Sequence, residues 1–247
     1  MAARAFQTSF LLDRKIYQRA IERWENEGGA APCDRATAGI GFPMEPDARS
    51  AITKSIHALK QHPQTVVLTV GHSTRPLDEF VSLLSAHRVT HLMDVRTVPR
   101  SRHNPQFNRD TLPDALERAG IHYTHEAGLG GFRHTDPESP NRGWRNASFR
   151  GYADYMQSAE FASHLGSLVK LAKQEKVALM CAEAVPWRCH RSLIADALLV
   201  HGIGVEEIVN KTRSQIHTLT PFARVNGTAI TYPPPDPTDP VHSEKRQ

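Results

Sequence analysis

Apolar positions follow two different periods along the chain from residue 65 onward. Short apolar runs predict strands at Thr65–Val70, Val89–Val95, Ile121–His125, Val177–Cys181 and Val205–Val209. Apolar residues that recur every three or four positions predict helices at Pro76–His87, Asp110–Ala119, Tyr152–Lys173 and His190–His201. Strands that alternate with helices form βαβ units with parallel strands. We therefore predict a three-layer α/β fold with a mostly parallel sheet of about five strands, of the Rossmann or flavodoxin type.

The chain divides into three parts by composition. Residues 1–62 hold a loose helical stripe, a stretch rich in Gly and Pro, and a second short helical pattern, which together predict an N-terminal helical extension. Residues 63–232 carry the alternation of strands and helices and form the predicted α/β domain. Residues 233–247 are rich in Pro, so we predict a disordered tail there.

The composition bounds the class of protein. Hydrophobic residues make up 39% of the chain and charged residues 23%, which allows a sizeable core and excludes a fibrous or wholly disordered protein. The net charge of +4 is only mildly basic and is not that of a histone-like protein. The first residues lack the apolar core of a signal peptide, and no run reaches the roughly 18 apolar residues that span a bilayer. We therefore expect a cytoplasmic protein with no membrane partner.

Polar, glycine and arginine residues gather after four of the predicted strands. The segments concerned are 71–75, 96–109, 126–131 and 182–191. In open α/β sheets, ligands bind beyond the carboxyl ends of the strands. We therefore expect these four segments to form one ligand site.

The segment after the fourth strand carries the strongest chemical signal. Cys189 is predicted at or just before a helix N-terminus, next to Arg188, His190 and Arg191. Backbone N–H groups, the helix dipole and positive neighbours lower the pKa of a thiol. The sequence thus indicates a reactive Cys189 thiolate, with Glu183 nearby as a base or an orienting group.

Two other interpretations of this segment stay open. Cys181, Cys189 and His190, with Glu183 or His72, are residue types that bind zinc, but the C-x7-C-H spacing matches no standard zinc pattern. We therefore predict no metal and no cofactor. Alternatively, Cys181 is a core residue of the strand and Cys189 is a small packing residue at a helix cap. The chain has three cysteines, and an odd number argues against a disulfide framework.

Two loops carry arginines that suit anionic ligands. Loop 96–109 holds four arginines and no acidic residue, and loop 139–151 holds three, with Trp144 and Phe149 between them. Guanidinium groups bind phosphates and aromatic faces stack on bases, so these loops indicate a nucleotide or nucleic-acid ligand. Ordinary solvated basic loops are the alternative. His72 and Ser73, after the first strand, resemble half of a nucleophile–base pair.

A set of short motifs is similar to a known family. The segments are TVGHSTR (69–75), DVRTVPRSR (94–102), NPQFNR (104–109), LGG (129–131), FRGYADYM (149–156), MCAE (180–183), WRCHRS (187–192) and TPFA (220–223). Together they resemble the bacterial family called domain of unknown function 488, over about residues 65–232. The resemblance implies a cytoplasmic α/β domain with polar residues at one sheet edge, and it implies no particular activity. Residues 1–62 fall outside it.

The resemblance also points to a set of site residues at the sheet edge. They are His72, Asp94, Arg96, Arg100, Asn104, Glu183, Cys189, His190 and Arg191.

From these observations we predict an enzyme that acts on a nucleotide, a nucleic-acid base or another phosphorylated ligand. The predicted catalytic residues are Cys189, Glu183, His190 and His72, and the predicted substrate-binding residues are Ser73, Asp94, Arg96, Arg100, Asn104 and Arg191. The alternative is a nucleic-acid or nucleotide binding module without turnover. A third hypothesis is a scaffold protein whose site is vestigial. The sequence leaves all three hypotheses open.

Overall fold

The computed structural model describes residues 65–234. The helical extension predicted for residues 1–62 lies outside the described residues, as do residues 235–247 of the predicted tail. Within the described range, six strands form the main sheet, in the order β3-β2-β4-β1-β5-β6. They are β1 (Val66–Gly71), β2 (His91–Asp94), β3 (His122–His125), β4 (Val177–Cys181), β5 (Gly204–Asn210) and β6 (Arg213–Ile216). Within this sheet, neighbouring strands are parallel except β6, which runs antiparallel to β5.

Helices cover both faces of this sheet. Those of residues 65–234 are α1 (Leu77–Ala86), α2 (Leu112–Glu117), α3 (Ala147–Tyr155), α4 (Ala159–Ala172) and α5 (Arg191–Val200). Helices α1 and α2 pack on one face, and α3, α4 and α5 pack on the other. The predicted three-layer α/β fold is therefore confirmed, with a strand order that differs from both the Rossmann and the flavodoxin orders. No helix in this part of the chain is long and apolar enough to cross a membrane.

The central strands are apolar on both faces because both faces are covered. In β4, Val177 and Leu179 point into the core under α3–α5, while Ala178 and Met180 point into the core under α1 and α2. All four residues are buried. Side chains alternate across a strand, so a strand covered on both sides must be apolar throughout.

The prediction of one long helix over Tyr152–Lys173 is wrong. The structure has two helices there, α3 and α4, separated by residues 156–158. Ser158 adopts an extended backbone, and its hydroxyl accepts a hydrogen bond from the backbone N–H of Phe161 at 3.1 Å. Serine is a preferred N-cap because its side chain satisfies a donor that the first helical turn leaves unpaired. This capping starts a new helix in the middle of the apolar period.

The aromatic residues of loop 139–151 pack in the core instead of facing a ligand. Trp144 and Phe149 are each only 9% exposed, with ring centroids 4.8 Å apart. Trp144 also packs against Phe222 and Tyr232, which flank a hairpin of β7 (Arg224–Asn226) and β8 (Ala229–Thr231) that the sequence did not predict. The expectation that these two rings stack on bases is therefore wrong.

The chain leaves the neighbouring strands β1 and β4 toward opposite faces of the sheet. After β1 it continues into α1 on one face, whereas after β4 it continues into α5 on the other. Such a reversal leaves a crevice at the carboxyl ends of the two strands, where α/β proteins bind ligands. The backbone N–H of His72 donates to the carbonyl of Cys181 at 2.9 Å across this point. Gly71 permits the approach, because a Cβ there would overlap the carbonyl oxygen of Glu183.

Candidate active site at the crevice between β1 and β4

Two cysteines meet at the crevice. Cys181 is the last residue of β4 and is half-buried, and Cys189 lies just before α5 and is 3% exposed. Their sulfur atoms and a ring nitrogen of His190 all lie within 4.8 Å of one another. Two cysteines that lie eight residues apart in the chain are thus brought together with an imidazole.

Arg191 holds the sulfur of Cys189 from inside the protein. Its Nε donates to Sγ of Cys189 at 3.4 Å, and its Nη2 donates to the carbonyl oxygen of Glu183 at 2.7 Å. Its Nη1 lies 3.4 Å from both carboxylate oxygens of Glu207, which also accepts a hydrogen bond from the hydroxyl of Thr69. Arg191 is only 1% exposed. A charged side chain buried this deeply needs such partners, and Glu207 and Cys189 supply its counter-charge.

The imidazole of His190 lies near the same sulfur. Its Nε2 lies 3.0 Å from the carbonyl oxygen of Val95, so this nitrogen carries a proton and donates it. Its Nδ1 is then directed toward Sγ of Cys189, at 3.8 Å. Gly131 packs directly on the ring, since a Cβ at this glycine would lie 2.6 Å from Nδ1. A backbone carbonyl and a glycine thus fix the orientation of the imidazole.

The pKa values of the two thiols are shifted in opposite directions. Burial by itself would raise the pKa of Cys189, but the hydrogen bond from Cys181 and the charges of Arg191 and His190 lower that pKa well below its ordinary value. The hydrogen bond donated to Cys189, together with burial, raises the pKa of Cys181. Of the two cysteines, Cys189 is therefore the one whose surroundings favour the thiolate.

A second polar network joins the carboxyl ends of β1, β2 and β3. Asp94, fully buried, accepts hydrogen bonds from Nε and Nη2 of Arg96 at 2.8 and 2.5 Å, and from the hydroxyl of Tyr123 at 2.8 Å. Arg96 also donates from Nη2 to the carbonyl of Phe107 at 2.7 Å and lies 3.2 Å from His72 through Nη1. These contacts use four of its five N–H groups. At most one N–H of Arg96 can reach a substrate in this conformation.

His72 is a neutral imidazole within this network. Its Nδ1 lies 2.8 Å from the carbonyl oxygen of Ser73 and donates to it, so its Nε2 accepts from Arg96. The ring stacks on Phe107 with centroids 4.2 Å apart. Burial, aided by the charge of Arg96, lowers the pKa of His72 to about 4. Ser73 takes part through its carbonyl, from a left-handed backbone with φ of 50°.

The remaining predicted site residues lie in the loops around the crevice. Glu183 accepts a hydrogen bond from the backbone N–H of Val185 at 3.0 Å, so its carboxylate caps the turn that leads to Cys189. Asn104 begins the 3₁₀ turn Pro105–Phe107. The side chain of Arg100 is 75% exposed. It lines an open depression of about 570 Å³, whose wall consists of Val98, Pro99, Arg100, Arg109 and Asp110.

Four residues of the site were not predicted from the sequence. Thr69 and Glu207 support Arg191, Tyr123 binds Asp94, and His125 donates from Nε2 to the carbonyl of Arg96 at 2.8 Å. The available signal was polarity inside apolar strands, because Thr69 interrupts the run VVLTV and Glu207 interrupts GVEEIV. Buried polar groups require partners, so such interruptions mark contacts with other elements.

The thiols and the imidazole also form a donor set for a soft metal ion such as Zn²⁺. The guanidinium of Arg191 contacts one of the sulfurs at 3.4 Å, and the charge of Arg96 acts on the sulfur of Cys181. Two cations beside the donors oppose a divalent metal and favour negative charge. The electrostatics of the site therefore suit a thiolate and an anionic ligand better than they suit a metal.

Comparison with known proteins places this site within one family. Residues 76–198 match the family described as Domain of unknown function DUF488. No match was found among curated proteins or among solved structures. The matched residues include Asp94, Arg96, both thiols and Arg191, whereas β1 and β5 lie outside them. The match confirms the resemblance that the sequence motifs indicate, and the chain carries a domain of the DUF488 family over residues 76–198.

Proposed function

We propose that this protein is an enzyme that uses the thiolate of Cys189 as a nucleophile toward an anionic substrate such as a nucleotide or another phosphorylated molecule. The observation that carries the proposal is the contact of 3.4 Å from Nε of Arg191 to Sγ of Cys189, with Nδ1 of His190 at 3.8 Å from the same atom. Reactive cysteines are found in such electropositive surroundings, whereas structural cysteines lie among apolar groups.

The free-energy cost of burying the charged groups around Cys189 supports a functional role for this residue. Burying a guanidinium and a thiolate requires several specific partners, and a purely structural thiol would need none of them. Glu207 and Thr69 are placed in β5 and β1 to hold Arg191, and Val95 and Gly131 hold His190. Supporting shells of this kind keep reacting groups in a fixed geometry.

The residues would then have the following roles. Cys189 attacks an electrophilic centre of the substrate and forms a covalent bond to it. His190, whose Nδ1 lies 3.8 Å from the sulfur, is the group placed to transfer a proton to the leaving group. Arg191 holds the sulfur as an anion, and Glu183 orients Arg191 through its carbonyl oxygen. Arg100 and Arg109 line the depression in the loop after β2 and are suited to bind phosphate.

The pH dependence of alkylation tests the proposal. Full-length protein with Cys33→Ser would be treated with iodoacetamide across the pH range, and the labelled Cys189 peptide would be quantified by mass spectrometry. Cys181 stays in place because its hydrogen bond helps to lower the pKa of Cys189. We expect a midpoint well below the free-thiol value of about 8.5. Burial slows the reagent at every pH but does not move the midpoint, so a midpoint at or above that value would refute an activated thiolate.

A binding module without turnover is the second candidate, and the exposed arginines favour it. Arg100 and Arg109 line the open depression in the loop after β2, and Arg102 is also exposed. If nucleic acid binds there through its phosphates, affinity should fall steeply as salt rises. Titrations of single-stranded and double-stranded DNA and RNA at two salt concentrations would check this, with Arg100→Ala as the variant. Binding that does not respond to salt, or no binding at all, would exclude this candidate.

A further inference from the structure

We propose that Cys181 is the resolving thiol of Cys189, so that a hydroperoxide converts the pair into an intramolecular disulfide. This inference rests on the thiolate of the proposed function and adds an oxidant as a second class of reactant. It is independent of the substrate on which the thiolate acts. The juxtaposition that carries it is that of the two sulfur atoms, one on a strand end and one before a helix.

The geometry places the two sulfurs within reach of each other. They lie within 4.8 Å of each other, with a ring nitrogen of His190 within the same distance. A disulfide requires a sulfur–sulfur distance of about 2.05 Å, so small rotations of the two side chains must close the gap. Cys189 lies outside α5, in extended backbone with φ of −125° and ψ of 141°. Its side chain can therefore turn without unwinding the helix.

The two thiols differ in pKa, as a peroxide-reactive thiol and its resolving thiol do. Cys189 is the thiolate, which is the form that reacts with peroxides, and Cys181 keeps its proton. Low-pKa sensor cysteines are characteristically paired with a nearby second thiol that resolves the oxidised form.

The reaction proceeds in two balanced steps. In the first, the Cys189 thiolate attacks one oxygen of the hydroperoxide, an S–O bond forms, the O–O bond breaks, and the departing oxygen takes a proton and leaves as water or an alcohol. In the second, the sulfur of Cys181 attacks the sulfenic acid of Cys189, an S–S bond forms, and the S–O bond breaks. The proton of Cys181 leaves with the hydroxyl as water. The two sulfurs lose two electrons in total, and the peroxide gains them.

The disulfide would remove the nucleophile of the proposed function and prevent its irreversible oxidation. The Cys189 sulfur in a disulfide carries no negative charge, so its contact with Arg191 would lose its ionic character. Without Cys181 the sulfenic acid would persist and proceed to sulfinic acid, which ordinary thiols do not reduce.

The test uses full-length protein with Cys33→Ser, so that Cys181 and Cys189 are the remaining thiols. The protein would receive a small excess of hydrogen peroxide, and its free thiols would be alkylated after denaturation and identified by mass spectrometry. We expect both thiols to disappear together, with a mass lower by two hydrogen atoms and full recovery on reduction with dithiothreitol. Adding Cys181→Ser should leave a Cys189 sulfenic acid that dimedone traps, with Cys181→Ala as a second variant if the serine variant misfolds.

Adding Cys189→Ser instead provides the matched control. This variant removes the thiolate that raises the pKa of Cys181, but burial still raises that pKa. Cys181 alone should therefore react with peroxide severalfold more slowly than the intact pair. If peroxide consumes Cys189 while Cys181 stays free, Cys181 is not a resolving thiol and the inference is overturned. In that case a low alkylation midpoint of Cys189 would still support the proposed function. A high midpoint would overturn both.

Discussion

Glu207 on β5 and Arg191 on α5 form an ion pair of 3.4 Å that is buried behind the thiolate. Burial raises the pKa of Glu207, and the charge of Arg191 opposes this effect. Arg191 in turn donates its Nε–H to Cys189. A carboxylate of the sheet, that of Glu207, therefore fixes the guanidinium of Arg191 in the position where it stabilises the negative charge of the sulfur.

Replacing Arg191 should separate the stability of this ion pair from the activation of the thiol. Arg191→Met leaves the carboxylate of Glu207 buried without its partner, which should destabilise the fold by about 3 kcal/mol. It also removes a positive charge from the sulfur, so the alkylation midpoint of Cys189 should rise by about one pH unit or more. Urea unfolding and pH-dependent alkylation measure the two effects. The double variant Arg191→Met with Glu207→Gln should recover much of the stability but not the midpoint, and an unchanged midpoint in both variants would contradict the role of Arg191.

His72 should make the stability of the fold depend on pH. Its folded pKa of about 4 lies below the unfolded value of 6.5, so the unfolded chain binds a proton first as the pH falls. The contribution of His72 is complete above the unfolded value and is lost as the pH falls from there toward the folded value. At the lower end of this window the loss should reach about 3 kcal/mol. Urea unfolding at several pH values, compared with His72→Gln, measures it. Equal pH dependence in the two proteins would contradict a buried neutral His72.

Gly131→Ala should disturb the thiolate without unfolding the protein. The added Cβ would lie 2.6 Å from Nδ1 of His190, and a side-chain ring can move more easily than backbone. With His190 displaced, the alkylation midpoint of Cys189 should rise. Gly166→Ala is the matched control, because a Cβ at that helical glycine meets nothing within 4 Å. The control should stabilise α4 by about 0.5–1 kcal/mol and leave the midpoint unchanged. A midpoint that moves equally in both variants would show that Gly131 has no specific relation to His190.

Two substitutions of Glu183 distinguish a base from a capping group. In the structure its carboxylate accepts a hydrogen bond from Val185, which a glutamine oxygen can also accept. If capping is its role, Glu183→Gln should leave both stability and the Cys189 midpoint unchanged, whereas Glu183→Ala should cost about 1 kcal/mol of stability. Thermal unfolding and alkylation of both variants measure this. A loss of turnover in Glu183→Gln on any substrate that is identified would instead support the predicted role as a base.

The core of the fold could be predicted from the sequence because the buried parallel strands are distinct apolar runs. The strands β1 to β4 and the helix α5 were all predicted within two residues of their observed bounds. The elements that escaped prediction do not have this pattern. β6 (Arg213–Ile216) is polar and mostly exposed at the sheet edge, and β7 and β8 are three residues each. Their pairing depends on neighbouring strands, which a local pattern does not describe.

The candidate site could be predicted in its position but not in its internal contacts. The rule that ligands lie beyond the strand ends placed Cys189, His190 and Arg191 correctly at one edge. It did not reveal that Arg96 binds Asp94 and His72, or that Glu183 caps a turn, because these contacts depend on side-chain directions. For the same reason the arginine-rich pattern around Trp144 indicated a stacking surface, although the aromatic ring faces inward.

Because β1 is a central strand of the sheet, residues 76–198, which form the family signature, do not contain the whole fold. β1 lies between β4 and β5 in the sheet, yet it precedes the matched residues 76–198, and β5 follows them. A fragment cut at those limits would retain both cysteines but leave β4 with an unpaired edge, and it would lack Glu207. The smallest cooperative folding unit is therefore larger than the recognisable signature. Expression boundaries drawn from the signature alone would yield an incomplete sheet, and an inactive product would say nothing about the chemistry of Cys189.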